Sequence, residues 1–201
     1  MSDGFITWYH RGWGSMQASP LLHSLERHGL ALGNPSTGLI TSSTNGPLSW
    51  GEQASVTREE LIAAAGLSAI SEVNFRIWLD GGTDVFTRIR RRCNSDVTVL
   101  EFGLDGMDKM QQAHVIYVVL SEIRKSRDAC MGFIVDHSGA TEDEDWDAIV
   151  LDASPWRENW PDEFALRDDA MRSHPELAGL DGRQESPLTV FESPRRRSLR
   201  G

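Results

Sequence analysis

Lysine and cysteine are scarce in this chain: Lys109 and Lys125 are the only lysines among 20 basic residues, and Cys93 and Cys130 are the only thiols. Two cysteines exclude a disulfide-dense secreted scaffold, and neither has a histidine near it in sequence to make it a nucleophile. No stretch approaches the roughly 20 apolar residues that a membrane-spanning helix needs. Residues 1–14 lack the basic and apolar blocks of a signal peptide, so a cytoplasmic location with free thiols and no membrane partner is expected. The histidines at 10, 23, 28, 114, 137 and 174 show no zinc-ligand spacing. Gly12-Trp-Gly14 lacks the third glycine of a dinucleotide loop, and no nucleophile elbow occurs. These absences lead to the expectation of no cofactor and no resident metal.

What is present in excess is acid. The 201 residues carry a formal net charge of -10, and 39% of them are hydrophobic. That length suits one domain with appendages, and the apolar content is too high for wholesale disorder. The charge is concentrated: residues 141–192 hold 15 acids and 4 bases, whereas residues 1–140 are nearly neutral. Four arginines, at 195, 196, 197 and 200, close the sequence. This distribution suggests an α+β domain over 1–151 and an irregular acidic extension with a basic tail over 152–201. So acidic a chain is not expected to bind nucleic acid through its whole surface.

Hydrophobic periodicity sets the expected elements. Phe5–His10 is rich in aromatic and β-branched residues and predicts a first strand. Ser19-Pro20 predicts a helix start, followed by an apolar stripe at Leu21, Leu22 and Leu25. Asn45-Gly46 could close a hairpin between Leu39-Ile40 and residues 48–50. Thr57-Arg-Glu-Glu60 is a capping box opening a short helix that Gly66 can end. Strict alternation at Val73, Phe75, Ile77 and Leu79, two turns, and further strands over 85–92 and 97–102 predict a three-strand meander over about 73–103. A long helix from about 106 to 125, capped by Asp105, should bury Met110, Ala113, Tyr117, Leu120 and Ile123. Cys130–Val135 reads as a central strand, and Thr141-Glu-Asp-Glu144 as a second capping box before Trp146. The fold class is α+β: a mostly antiparallel sheet, packed by helices on one face, with an irregular acidic C-terminal extension.

Thr57 through Ser68 resembles the first helix and turn of helix-turn-helix regulators, a likeness that implies DNA binding through a following helix. Residues 71–79 alternate as a strand does, which argues for a capped helix with a glycine stop instead.

Asp136-His137, at the end of the central strand, is the candidate catalytic pair, since a carboxylate beside an imidazole suits acid–base chemistry. Adjacent strand residues point to opposite faces, so a turn would be needed to bring them together. Together with the carboxylates of 142–147, this pair would make a small metal-dependent hydrolase. The run Glu142, Asp143, Glu144, Asp145 lacks the spacing and glycine of a calcium loop, and acids in a helix's first turn already offset its dipole. The preferred reading is a non-enzymatic interaction protein. In it, those four acids with Trp146, Trp156 and Trp160 bind a basic protein partner by electrostatic steering and aromatic anchors. It is similar in character to small acidic bacterial proteins that neutralise toxins. The arginines at 88, 90 and 92 share a strand face, and the chain's own acidic segment is as good a partner for them as any external one.

Overall fold

The computed structural model describes residues 4–43, 51–67, 70–155 and 159–193. Ten strands form a single antiparallel sheet: β1 Phe5–Arg11, β2 Ile40–Ser43, β3 Gln53–Val56, β4 Glu72–Trp78, β5 Asp84–Arg91, β6 Val97–Gly103, β7 Cys130–Asp136, β8 Glu163–Arg167, β9 Arg183–Glu185 and β10 Leu188–Glu192. Their spatial order is β3-β2-β4-β5-β6-β1-β7-β8-β10-β9. The N-terminal strand therefore lies in the middle, with Trp8 opposite Leu100 of β6 and Phe133 of β7. Strands β4, β5 and β6 are successive neighbours, in registers that place Val73 opposite Ile89 and Ile89 opposite Leu100. Four α-helices lie among the described residues: α1 Ser15–Arg27, α2 Arg58–Ala65, α3 Lys109–Lys125 and α4 Trp146–Asp152.

Alternation along the strands builds two cores. Ile6 and Trp8 of β1, Phe75 of β4, Ile89 of β5 and Leu100 of β6 face a large cluster closed by Leu22 and Leu25 of α1, Leu61 of α2 and Val115 and Val119 of α3. The intervening residues Tyr9, Val97, Val99, Ile134, Phe164 and Leu166 pack against Trp146, Ile149 and Val150 of α4 on the other side. Helices thus lie on both faces, not one. The central strands are apolar at consecutive positions, and two apolar faces require two covers. Residues 163–192 correct the expected irregular extension, because β8 pairs with β7 and β10 with β8. Gly132 permits that junction: a Cβ there would stand 2.7 Å from the Ala165 carbonyl oxygen.

Several boundaries also move. Helix α1 begins at Ser15, with Pro20 inside it, because the stripe of Leu21, Leu22 and Leu25 extends back to buried Ala18. Helix α3 is capped by Asp108, not Asp105; its carboxylate accepts from the Met110 and Gln111 amides, and the Gln111 side chain accepts from the Asp108 amide. Its buried residues are Val115, Ile116, Val118, Val119, Leu120, Glu122 and Ile123, so Leu120 and Ile123 are buried as expected, whereas Ala113 is exposed and Met110 and Tyr117 are 79% and 65% exposed. A valine stripe interrupted by Glu122 was outweighed in the sequence by the larger Met and Tyr. The Thr57 capping box forms, with Glu60 bonded to the Thr57 amide. The next element after α2 is strand β4, so no recognition helix follows. Strand β2 pairs with β3, and residues 45–46 and 48–50 of the expected hairpin lie outside the described residues.

The sheet ends on β3, which is mostly exposed, and on β9, which is three residues long and polar. Cys130 is buried and Cys93 is exposed. Burial pushes the Cys130 thiol up to about 12. Titration with a thiol reagent at pH 8 should therefore modify one thiol in the native protein, Cys93, and both after denaturation; two fast thiols would contradict this packing.

Candidate functional site

Strand β5 carries Arg88 and Arg90 on its outer face, and the acidic segment comes back to meet them. Arg90 grips Asp147 of α4 with both terminal nitrogens, at 2.7 and 2.8 Å, and its Nε donates to Glu101 of β6 at 2.9 Å. The Tyr9 hydroxyl donates to the same Asp147 carboxylate at 3.0 Å. Arg92, just past β5, donates to the Asp147 carbonyl oxygen and pairs with Asp152 at the end of α4. Arg88 pairs with Glu72 of β4 at 2.8 Å. The arginine face is thus paired within the chain, and α4 is its main acidic partner.

Charge and burial set the proton affinities here. Burial raises Asp147, but the Arg90 guanidinium outweighs it and holds the carboxyl below its usual range. Tyr9 is raised well above the usual phenol value, first by burial and then by the adjacent Asp147 charge. The Arg90 guanidinium is raised by its bonds to Asp147, against the effect of burial.

Beside this network lies an open groove of about 530 Å³ between the outer face of β1, β5 and β6 and the segment leading into α4. Acids dominate its lining: Glu101, Asp105, Glu142, Glu144, Asp145 and Asp147, against Arg88 and Arg90. Phe86, 43% exposed, supplies an apolar wall. Glu142, Asp143 and Glu144 make no ion pair among the described residues, and Asp145 caps α4 by accepting from the Ala148 amide. Thr141 therefore does not cap the helix as the sequence suggested.

The structure gives Asp136 another task. Its carboxylate is buried and accepts four bonds, from the amide and hydroxyl of Ser138 at 3.0 and 3.2 Å and from those of Thr141 at 2.7 Å each. Burial alone would raise its proton affinity, but these hydrogen bonds hold it below the ordinary value. Both oxygens are occupied in folding the 136–141 loop, which leaves little capacity for acid–base chemistry. The His137 amide donates to Asp162 at 2.8 Å, which ties the same loop to the approach of β8. Among the described residues no group of three or more His, Cys, Asp or Glu is arranged to hold a metal. Trp146 is turned inward, with its indole N–H on the Thr141 carbonyl at 3.1 Å, so it cannot serve as an exposed anchor. Trp160 is half-buried against Phe164, with ring centroids 5.6 Å apart. Trp156 lies outside the described residues. The exposed aromatic at the groove is Phe86, which the sequence reading missed; its outward register opposite Arg76 on β4 was the available signal.

No protein-family model and no curated protein sequence matches the chain. Among solved structures, a Pseudomonas aeruginosa T6SS protein is similar over 95% of this chain and 69% of its own, at 10% identity and a TM-score of 0.49. A chain from the structure of the toxic C-terminal tip of CdiA from Pseudomonas aeruginosa in complex with immune protein covers 70% of this chain and 91% of its own, at 13% identity and a TM-score of 0.36. Likeness at this level leaves the functional argument to the chain's own residues.

Replacing Asp147 with Asn should cost about 2 kcal/mol at pH 7, below the 3–5 typical of fully buried pairs because both side chains keep partial water contact. Asp147 and Asp136 contribute stability that is complete above about pH 4 and lost as the pH falls through their lowered values. Tyr9 contributes below about pH 10, and that share is lost as the pH rises through its raised value. Urea unfolding at a series of pH values should show the Asp147→Asn variant losing less stability than wild type between pH 5 and pH 3; parallel acid limbs would remove the ion pair from the account.

Proposed function

We propose that the chain is a binding protein for a basic protein partner, of the immunity or inhibitor kind, and that the groove lip at Glu142–Asp145 is its contact. The observation that carries this reading is the division of labour among the acids. Asp147 and Asp152 are paired with Arg90 and Arg92, whereas Glu142, Asp143 and Glu144 have no cation among the described residues, and Glu142 and Glu144 line an open groove with Asp143 between them in sequence. Unpaired carboxylates beside an exposed phenylalanine suit a surface that attracts Lys or Arg from a distance and then excludes water around an apolar contact. Trp160, half-buried at its own core, could add to the rim of the contact, but Phe86 is the aromatic that borders the acids.

The test is co-purification from native cells at low and high salt, using wild type and the Glu142→Gln, Asp143→Asn, Glu144→Gln triple variant. Wild type should recover a strongly basic protein, with affinity falling about tenfold or more between 50 and 300 mM salt as the exposed charges are screened. The triple variant should fold as wild type does by circular dichroism and lose that protein. Equal recovery by the variant, or a partner whose binding ignores salt, would overturn the assignment.

A further inference from the structure

Helix α3 packs on the face of the sheet opposite the acidic groove, and it is apolar on two sides. Val115, Val118, Val119 and Ile123 face the chain's own core. The other side carries a second row, Met110, Ala113, Tyr117 and Leu120, that ends on Arg124. Its spacing of three, four, three and four residues is that of a coiled-coil seam. Residues 110, 117 and 124 drift by only about 20° per heptad, so they stay on one line along the helix. Leu120, 8% exposed, is already tucked against the core. Met110 and Tyr117 stand in solvent, with exposed Ala113 between them and exposed Arg124 beyond. A single exposed apolar side chain needs no explanation, but two large ones on the line of a seam form a face to be covered. A helix apolar on both sides belongs in an interior, and the chain's own sheet covers one of them.

The two ends of this face differ in charge. At its start Asp105 and Asp108 precede the helix, and Asp80 in the β4–β5 turn accepts from the Gln111 side chain at 3.5 Å, so acids outnumber Lys109 there. At its end Arg124, Lys125 and Arg127 outnumber Glu122 and Asp128. Lys125 is paired with Glu122, whereas Arg124, Arg127 and Asp108 make no ion pair among the described residues. A surface with acid at one end and base at the other is complementary to itself when a second copy is turned end for end, as a two-fold axis turns it. With that axis level with residue 115, Tyr117 of one copy covers Ala113 of the other, large against small. Met110 then meets the level of Leu120 and Ser121, and Arg124 stands beside the other copy's segment 105–108.

We propose that the outer face of α3 is a self-association surface, on which two copies of this chain pair as an antiparallel, two-fold symmetric dimer centred between Ala113 and Tyr117. This is independent of the reading of the acidic groove, which lies on the other face of the sheet and stays open in such a dimer. One helix per copy makes a small interface, below about 1,200 Å² in total, so the dimer is a weak one, with a dissociation constant on the order of tens of micromolar.

Sedimentation equilibrium in reductant, from about 1 to about 500 µM chain, should show wild type passing from monomer to dimer. Tyr117→Glu, at an exposed position, should fold as wild type does by circular dichroism and weaken association about tenfold or more. Arg124→Glu sets acid against acid and should weaken it about fivefold or more. Mild oxidation reads the orientation, in chains that also carry Cys93→Ser to remove the exposed thiol while Cys130 stays buried. A mixture of Met110→Cys and Ser121→Cys chains should cross-link. Neither should cross-link alone, because like positions stand about 15–18 Å apart along the antiparallel pair, beyond the reach of a disulfide. A monomer at every concentration, a Tyr117→Glu or Arg124→Glu variant that associates as wild type does, or Met110→Cys chains that cross-link with one another in preference to the mixture, would each overturn the proposal.

Discussion

The pairing of Arg90 with Asp147 holds the outer side of this molecule together. Helix α4 has seven residues, too few to be stable alone in water, where isolated helices shorter than about 12–15 residues are marginal. It persists because Trp146, Ile149 and Val150 bury one flank while Asp147 engages Tyr9, Arg90 and, through its carbonyl, Arg92. A single aspartate thereby connects β1, β5 and α4. Arg90 in turn reaches Glu101 on β6, so the charge pattern spans three adjacent strands without leaving any of its arginines exposed alone. The shape of the groove follows from this, since its floor is that network and its lip is the segment that delivers α4.

Much of the sheet could be read directly. Val73, Phe75 and Ile77 alternate without interruption, and the capping box at Thr57 is contained in four residues, so both signals survive in a short window. Strands β8 and β10 could not be read in this way. Phe164-Ala165-Leu166 and Leu188 to Phe191 are short apolar runs amid acids and prolines, and what makes them strands is the waiting edge of β7. Pairing with a neighbour overrode weak local preference. Helix α3 failed in a different way: its buried stripe contains Glu122, a residue that looks solvent-facing until Ser24, 98 positions away, supplies its hydrogen bond.

The candidate site was legible in composition and illegible in geometry. The concentration of acid in 141–192 and the arginines on alternate positions of β5 announced a charge relationship, but spacing could not say which acid meets which arginine across 57 residues. Asp136 looked catalytic because it ends a central strand. The same sequence, with serine two positions and threonine five positions later, also describes a carboxylate that folds its own loop, and that is what the hydrogen bonds show.

The two ends of the sheet bear on how this molecule behaves in a crowded solution. Among the described residues the ten-stranded sheet ends in two edge strands, and edge strands in general are templates for strand-by-strand growth into fibres. Here one rim is β3, exposed and carrying Gln53 and Ser55, and the other is β9, only three residues long and built of Arg183, Gln184 and Glu185. Short, hydrophilic rims with no flat apolar run make poor templates. The sheet can therefore be wide enough to hold two separate cores while discouraging the stacking of one copy onto the next.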